Sequence, residues 1–226
     1  MKGTIVNTVG ILLGSGVGLV LRRGIPPRYQ LTVMNGLALA VILIGLQMAV
    51  KTNNVLIVII SLVLGGIVGE ALDLDAGLAR LGDWLTRKAG SAGSNVGQGF
   101  ITASLVYCIG AMAIVGAIQD GLTGDATTLY AKSMLDTISA IIFASSLGIG
   151  VAFSSISVFI YQGLITALAS YLAPVLSDAV IAEMTAVGGL LIVGIGLMML
   201  EIKTMKLANL LPAIPVAAVV TMFWPI

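Results

Sequence analysis

Histidine is absent from the 226 residues and cysteine occurs once, at Cys108. Intrachain disulfides, thiolate or imidazole metal sites and histidine-based acid/base catalysis therefore lack their parts. Charge is scarce as well: 9% of residues are Asp, Glu, Lys or Arg, and the 11 basic against 10 acidic side chains leave a net charge of +1. No basic surface large enough to neutralise a run of phosphates can be assembled from so few, which excludes nucleic acid as a partner. What is abundant is apolar surface. The hydrophobic share is 58% and the mean hydropathy +1.12, against about 45–50% apolar and about 25% charged in soluble domains. The composition is that of an all-α, polytopic membrane helix bundle whose first partner is the lipid bilayer.

A spanning helix needs roughly 20 mostly apolar residues, and the charges divide the chain into apolar blocks near 3–21, 31–50, 53–72, 99–118, 133–153, 156–174, 184–201 and 208–225. Eight spans are expected, in one membrane domain. It divides into a first three-helix unit (1–72), a connecting segment (73–98), central helices (99–155) and a last three-helix unit (156–226). The first block follows Lys2 like a signal peptide but is as long as a full span and ends on Arg22 and Arg23, so it is expected to be retained. Spans five and six should form a tight hairpin near Ser154 and Ser155. In the last block Asn209 could cap a helix, Pro212 would sit in its first turn and Pro215 should kink it, which leaves a re-entrant or half-length helix open.

Lys and Arg concentrate in cytoplasmic loops. Alternate connections place Arg22, Arg23, Arg28, Arg80, Arg87, Lys88, Lys203 and Lys206 on one side and only Lys2, Lys51 and Lys132 on the other. Both termini are thus expected outside the cytoplasm of a bacterial inner membrane. On the cytoplasmic side, Leu74, Leu78, Leu81 and Leu85 recur at helical spacing beside Trp84, an interfacial amphipathic pattern. The tract AGSAGSNVGQG that follows reads as a flexible tether near 89–98.

Ile44, Gly45, Leu46 and Met48 match Ile195, Gly196, Leu197 and Met199 at a constant offset of 151, and Asn7 and Ser15 can be laid over Gln162 and Ser170. Spans 1–3 would then recur as spans 6–8 with opposite topology, the inverted repeat common in secondary transporters. The competing explanation is chance similarity between apolar helices.

Two glycine stripes, Gly10, Gly14 and Gly18 and then Gly65 and Gly69, allow close helix packing, either within the chain or as the seam of a homodimer. Gln119, Asp120, Gly121, Thr123, Gly124 and Asp125 gather oxygen ligands at one helix end, suited to a hard cation or simply to a solvated turn. The fifth span is the most informative. Lys132, Asp136, Ser139, Phe143, Ser146 and Gly150 recur in steps of four and three, so a charged and hydroxyl-bearing stripe runs down an otherwise apolar helix. Such a stripe must face protein or water. Lys132 and Asp136 can pair, and Asp136, about one turn inside the outer boundary, is placed to relay a proton or cation. Asn7, Asn35, Gln47, Gln162 and Thr166 read as glue between helices, and Tyr107 and Cys108 as packing residues. Neither metal nor cofactor is expected.

The stretches GAMAIVGAIQDGLTGD (110–125), KSMLDTISAIIFASSLGIGV (132–151), AEMTAVGGLLIVGIGL (182–197) and NLLPA (209–213), with GTIVNTVGILLG and LARLGDWL, resemble the bacterial membrane family catalogued as domain of unknown function 554. The resemblance spans essentially the whole chain. It implies an integral inner-membrane protein, presumed to transport, and singles out Gln119, Asp120, Lys132, Asp136 and Asn209.

The leading functional expectation is a secondary transporter or permease for a small polar solute or ion, coupled to protons or a cation through Asp136. A passive oligomeric channel is the first alternative. A structural or regulatory membrane protein docking through its amphipathic segment is another. An intramembrane enzyme, for which Ser139 with Lys132 would be the only nucleophile arrangement, ranks last.

Overall fold

The computed structural model describes residues 1–22, 27–77, 80, 84, 87, 96–108 and 111–224. Among these residues it contains helices and no strand. The long helices are α1 (Lys2–Arg22), α2 (Pro27–Ala49) and α3 (Val55–Leu72), then α4 (Val96–Cys108) and α5 (Ala111–Leu122), then α6 (Thr127–Leu147) and α7 (Gly150–Ala167). A short α8 (Ala169–Leu172), a long α9 (Asp178–Met199), a 3₁₀ turn at Leu207–Leu210 and α10 (Ala213–Phe223) complete the chain. Arg23, Leu78, Leu81, Asp83, Leu85, Lys88, residues 89–95 of the Gly/Ser tract and Gly110 lie outside the described residues. Of the amphipathic pattern, Leu74–Gly77, Arg80, Trp84 and Arg87 are helical.

Among the described residues, five helices are long and apolar enough to cross a membrane: α1, residues 31–49 of α2, α3, α7 and α9. A sixth crossing results if α4 and α5, whose axes differ by 60°, are counted as one bent span. α6 is equally long, with 21 residues, but carries Lys132, Asp136 and a run of hydroxyls. α10, with 11 residues, is shorter than a full crossing.

Several boundaries differ from the sequence expectation, each for a local reason. The break between the fifth and sixth helices falls at Gly148 and Ile149, not at Ser154 and Ser155. Gly148 has φ +83°, a conformation open to glycine, and its N–H closes α6 on the Ala144 carbonyl. Ser154 and Ser155 instead return their hydroxyls to the Val151 and Ala152 carbonyls and stay inside α7. The expected tether ends earlier than residue 98, because Val96 and Gly99 are buried in α4 against Gly150 and Leu147. Pro215 is the third residue of α10 and so lies in its first turn, where a missing N–H removes no helical bond.

Two compact units make up the chain. The first comprises Met1–Leu37, Arg80–Cys108 and Met112–Ala173. Its centre is α1 packed on α6 and α7. Gly10, Gly14 and Gly18 lie against Ser133 and Thr137, then Thr137 and Ala140, then Ile141 and Ala144, so α1 and α6 run parallel with their backbones in close approach. Against α7 the order reverses: Thr4 meets Thr166 and Asn7 meets Gln162. α4 runs parallel to α7, with Gly99 near Gly150 and Ser104 bonded to Ser157.

The second unit comprises Ala38–Ala79, Ile109–Ala111 and Pro174–Ile226. Its core joins Val58 of α3, Ala186, Val187 and Leu191 of α9, and Ala213 and Ala217 of α10. Gly45 lies against Gly189 and Val193, while Gly196 lies against Ala38 and Ile42, which makes α2 and α9 antiparallel. Gly65 and Gly69 face Ala213 and Asn209, so α3 and α10 are antiparallel as well. Both glycine stripes are therefore covered by contacts within the chain.

Candidate functional site

Helix α6 has the polarity of a soluble helix turned inside out. Its buried face carries Lys132, Ser133 and Asp136, while Met134, Leu135 and Ile138 are 70%, 59% and 58% exposed. The helix starts at Thr127 because Asp125 accepts both the backbone N–H and the hydroxyl of that residue, at 2.9 and 2.6 Å. This start is six residues earlier than the apolar pattern suggested. Asp136 consequently lies nine residues into the helix, about 13 Å along its axis. Those two hydrogen bonds hold the exposed Asp125 carboxyl below the usual carboxylate range.

Lys132 and Asp136, one turn apart, form a bidentate pair, with Nζ 2.8 Å from Oδ1 and 2.6 Å from Oδ2. The Lys132 side chain is 8% exposed, so its ammonium stays on the carboxylate instead of extending to water. Asn7 of α1 donates its amide to Asp136 Oδ2 at 3.0 Å and to Gln162 Oε1 of α7 at 3.4 Å. One level nearer the start of α1, the Thr4 and Thr166 hydroxyls meet at 3.5 Å. The Tyr107 ring of α4 stands 6.0 Å from Lys132 Nζ and packs, tilted, on Phe143. Three helices of the first unit thus contribute an ion pair bonded to one amide, a second amide bonded to the first and, one level away, a pair of hydroxyls. Two atoms in this group, Asn7 Oδ1 and Gln162 Nε2, are buried without a partner among the described residues.

The other expected site residues are distributed differently. Asp120 closes the N-terminal end of α1, accepting the Gly3 N–H at 3.1 Å and the Met1 ammonium at 2.8 Å. Gln119 accepts the Thr128 hydroxyl at 2.7 Å. The oxygens of Gln119, Asp120 and Asp125 are thus each directed to partners of their own and do not converge on a cation. No group of three or more His, Cys, Asp or Glu side chains suited to a metal occurs among the described residues. Ser139 returns its hydroxyl to the Leu135 and Asp136 carbonyls, and Ser146 is half-buried further along α6. Asn209 belongs to the second unit. It does not cap α10, whose preceding residue Pro212 offers no side-chain bond; it donates to Glu70 at 2.6 Å and accepts the Asp75 N–H at 2.8 Å. Lys206 also reaches Glu70, at 2.7 Å, and this bond raises its ammonium above the usual lysine range.

Sequence reading set Asn7, Gln162 and Thr166 aside as glue and did not select Thr4. The signal that could have promoted them was the spacing of Thr4, Asn7 and Ser15, all fully buried, along one face of α1. The sequence pattern does not single out Glu183. It is fully buried and accepts the Thr52 hydroxyl at 2.6 Å and the N–H groups of Asn53 and Asn54 at 2.7 and 3.1 Å, holding the turn between α2 and α3.

Long helices that bury charge and amides and turn Leu, Ile and Val outward define a polytopic α-helical membrane protein. Over residues 2–222 the sequence matches the family described as protein of unknown function (DUF554), and the chain belongs to that family. It is 34% identical over 224 residues to the Bacillus subtilis (strain 168) "Uncharacterized membrane protein YdfK", covering 97% of this chain and 95% of that protein. It is 32% identical over 228 residues to the Escherichia coli (strain K12) "Uncharacterized protein YqgA", covering 98% and 97% respectively. No solved structure matches.

Proposed function

We propose that the chain is a small secondary transporter or permease for a small polar solute or ion in the bacterial inner membrane, coupled to a proton or cation through Asp136. The observation that carries this reading is the Lys132–Asp136 pair, held with the Asn7 and Gln162 amides on the inward sides of three helices. Charges at such depth in an apolar helix are expensive and mark ion and substrate paths by default.

Two further features support it. Counting α4 and α5 as one bent span and α6 and α10 as crossings gives eight, and the helix directions agree with that count: α1 is parallel to α6 and antiparallel to α7, as first, fifth and sixth spans must be. With the basic residues kept cytoplasmic, both termini then lie outside. An inverted repeat is supported by the contacts themselves. Gly196 is Gly45 displaced by 151 positions, and Ala38 and Ile42 are the counterparts of Gly189 and Val193, so the contacts of Gly45 with α9 recur as those of Gly196 with α2, as a local two-fold axis requires. Asn7 and Gln162, laid over one another in sequence, are hydrogen-bonded.

A passive oligomeric channel fits less well, since both glycine stripes that would form its seam face the chain's own helices. No enzymatic activity belongs to this reading: Lys132 is on Asp136 and the Ser139 hydroxyl is on backbone carbonyls, so the two do not form a nucleophile and base. The test is flux of protons, cations and a panel of small solutes into liposomes carrying the purified protein. Asp136→Asn should abolish a flux that the wild type supports; equal flux in both for every solute transported would end the relay assignment.

A further inference from the structure

The polar group that includes Asp136 holds more oxygen than the ion pair uses. Its carboxylate meets the Lys132 ammonium and the Asn7 amide, while Gln162 Oε1 and the Thr4 and Thr166 hydroxyls stand on the adjoining helix faces. Asn7 and Gln162 are both fully buried, yet Asn7 Oδ1 and Gln162 Nε2 have no partner among the described residues. Asn7 turns both its donors toward acceptors and its oxygen toward none. A half-turn of that amide would bring its oxygen to the carboxylate, an arrangement favoured when a cation or a proton lies between the two oxygens.

We propose that the Lys132 ammonium and a small monovalent metal cation of sodium size are alternative partners of Asp136, with the Asn7, Gln162, Thr4 and Thr166 oxygens completing the cation's shell. The inference names the coupling ion and takes its purpose from the transporter reading above. The donor set consists of a carboxylate, amides and hydroxyls, which suits a hard cation. Charge fixes the valence. Apart from Lys132 and Asp136, the titratable groups on the packed helices are Lys2 and Arg22 of α1, Tyr107 and Cys108 of α4, Asp120 of α5, Tyr130 of α6 and Tyr161 of α7, and Asp120, the other carboxylate among them, is already engaged by the Gly3 N–H and the Met1 ammonium. One available carboxylate balances one positive charge, supplied either by the tethered ammonium or by the bound cation. When the cation enters, Lys132 swings away along α6 toward Thr127 on its flexible stem, and no proton has to move.

The test reads binding separately from transport. Thermal stability of the purified protein is followed in sodium against choline chloride, for wild type, Lys132→Gln, Asp136→Asn, Asn7→Leu and the double variant Lys132→Gln/Asp136→Asn. Removing the tethered competitor should lower the sodium concentration of half-maximal stabilisation by about tenfold or more in Lys132→Gln. Asp136→Asn and the double variant should lose the sodium effect, and Asn7→Leu should weaken it. Should Lys132→Gln fold only in sodium, the expectation is met. Should it fold in neither salt, the comparison of wild type with Asp136→Asn and Asn7→Leu decides. Equal stability in sodium and choline for wild type and Lys132→Gln overturns the proposal, as does a sodium effect that survives Asp136→Asn. Asp136-dependent flux without a sodium effect would leave the transporter reading intact and defeat this one; a sodium effect that needs Asp136, without flux of any kind, would do the reverse.

Discussion

At the scale of single residues, the buried carboxylates carry the most information because each must find partners where water is excluded. Glu183 finds three on the turn between α2 and α3, and Asp136 finds Lys132 and Asn7. Glu183→Ala should leave the Thr52 hydroxyl and two N–H groups without their acceptor and lower stability by about 2–3 kcal/mol. Thermal unfolding in detergent checks this, and Glu183→Gln, which keeps one acceptor oxygen, should lose less. The sequence made Lys132 and Asp136 legible through their spacing of four. It could not rank Asn7 above Asn35 or Gln47, because an amide in an apolar helix gives no sign of which neighbour it will meet. Only the packing of α1 against both α6 and α7 brings Asn7 to Asp136 and Gln162.

Helices show the same division between pattern and packing. Gly14 and Gly16 are near neighbours on α1, but Gly14 lies against the Thr137 carbonyl and Ala140 whereas nothing stands within 4 Å of the position a Cβ would take at Gly16. Gly14→Ala should push α1 off α6 and destabilise by about 1–3 kcal/mol. Gly16→Ala should be neutral or stabilising by up to about 1 kcal/mol, through helix propensity alone. Unfolding of the two variants side by side measures the contrast. The start of α6 gives a pH-dependent case. The Asp125 carboxyl is held below its ordinary value by Thr127, so its contribution is fully present above the usual carboxylate pKa and is lost as pH falls through the lowered one. Asp125→Ala should therefore narrow the stability gap to wild type on acidification, read from unfolding midpoints across that range. Element boundaries were the least legible feature in sequence, since apolar blocks continue through Gly148 and Ile149 as smoothly as through a helix. The break depends on one positive φ and on serines that bond back to their own helix.

For the molecule as a whole, composition alone required a membrane protein, and no arrangement of 9% charged residues with 58% hydrophobic ones could give a soluble surface. The sequence by itself also determined an all-helical architecture, because a bilayer leaves backbone groups no other way of pairing across long apolar runs. It determined the ion-pair spacing on α6 and membership of the family, which long local motifs carry. The tertiary structure alone decided which helices meet. It grouped α1, α4, α5, α6 and α7 around one buried charge pair, and it gathered the second unit around α3, α9 and α10. The physical reason lies in the solvent: with lipid on the outside, apolar periodicity no longer says which face turns inward, and helix pairing is set by glycine close approach and by polar groups seeking partners, interactions that exist only once two surfaces are in contact.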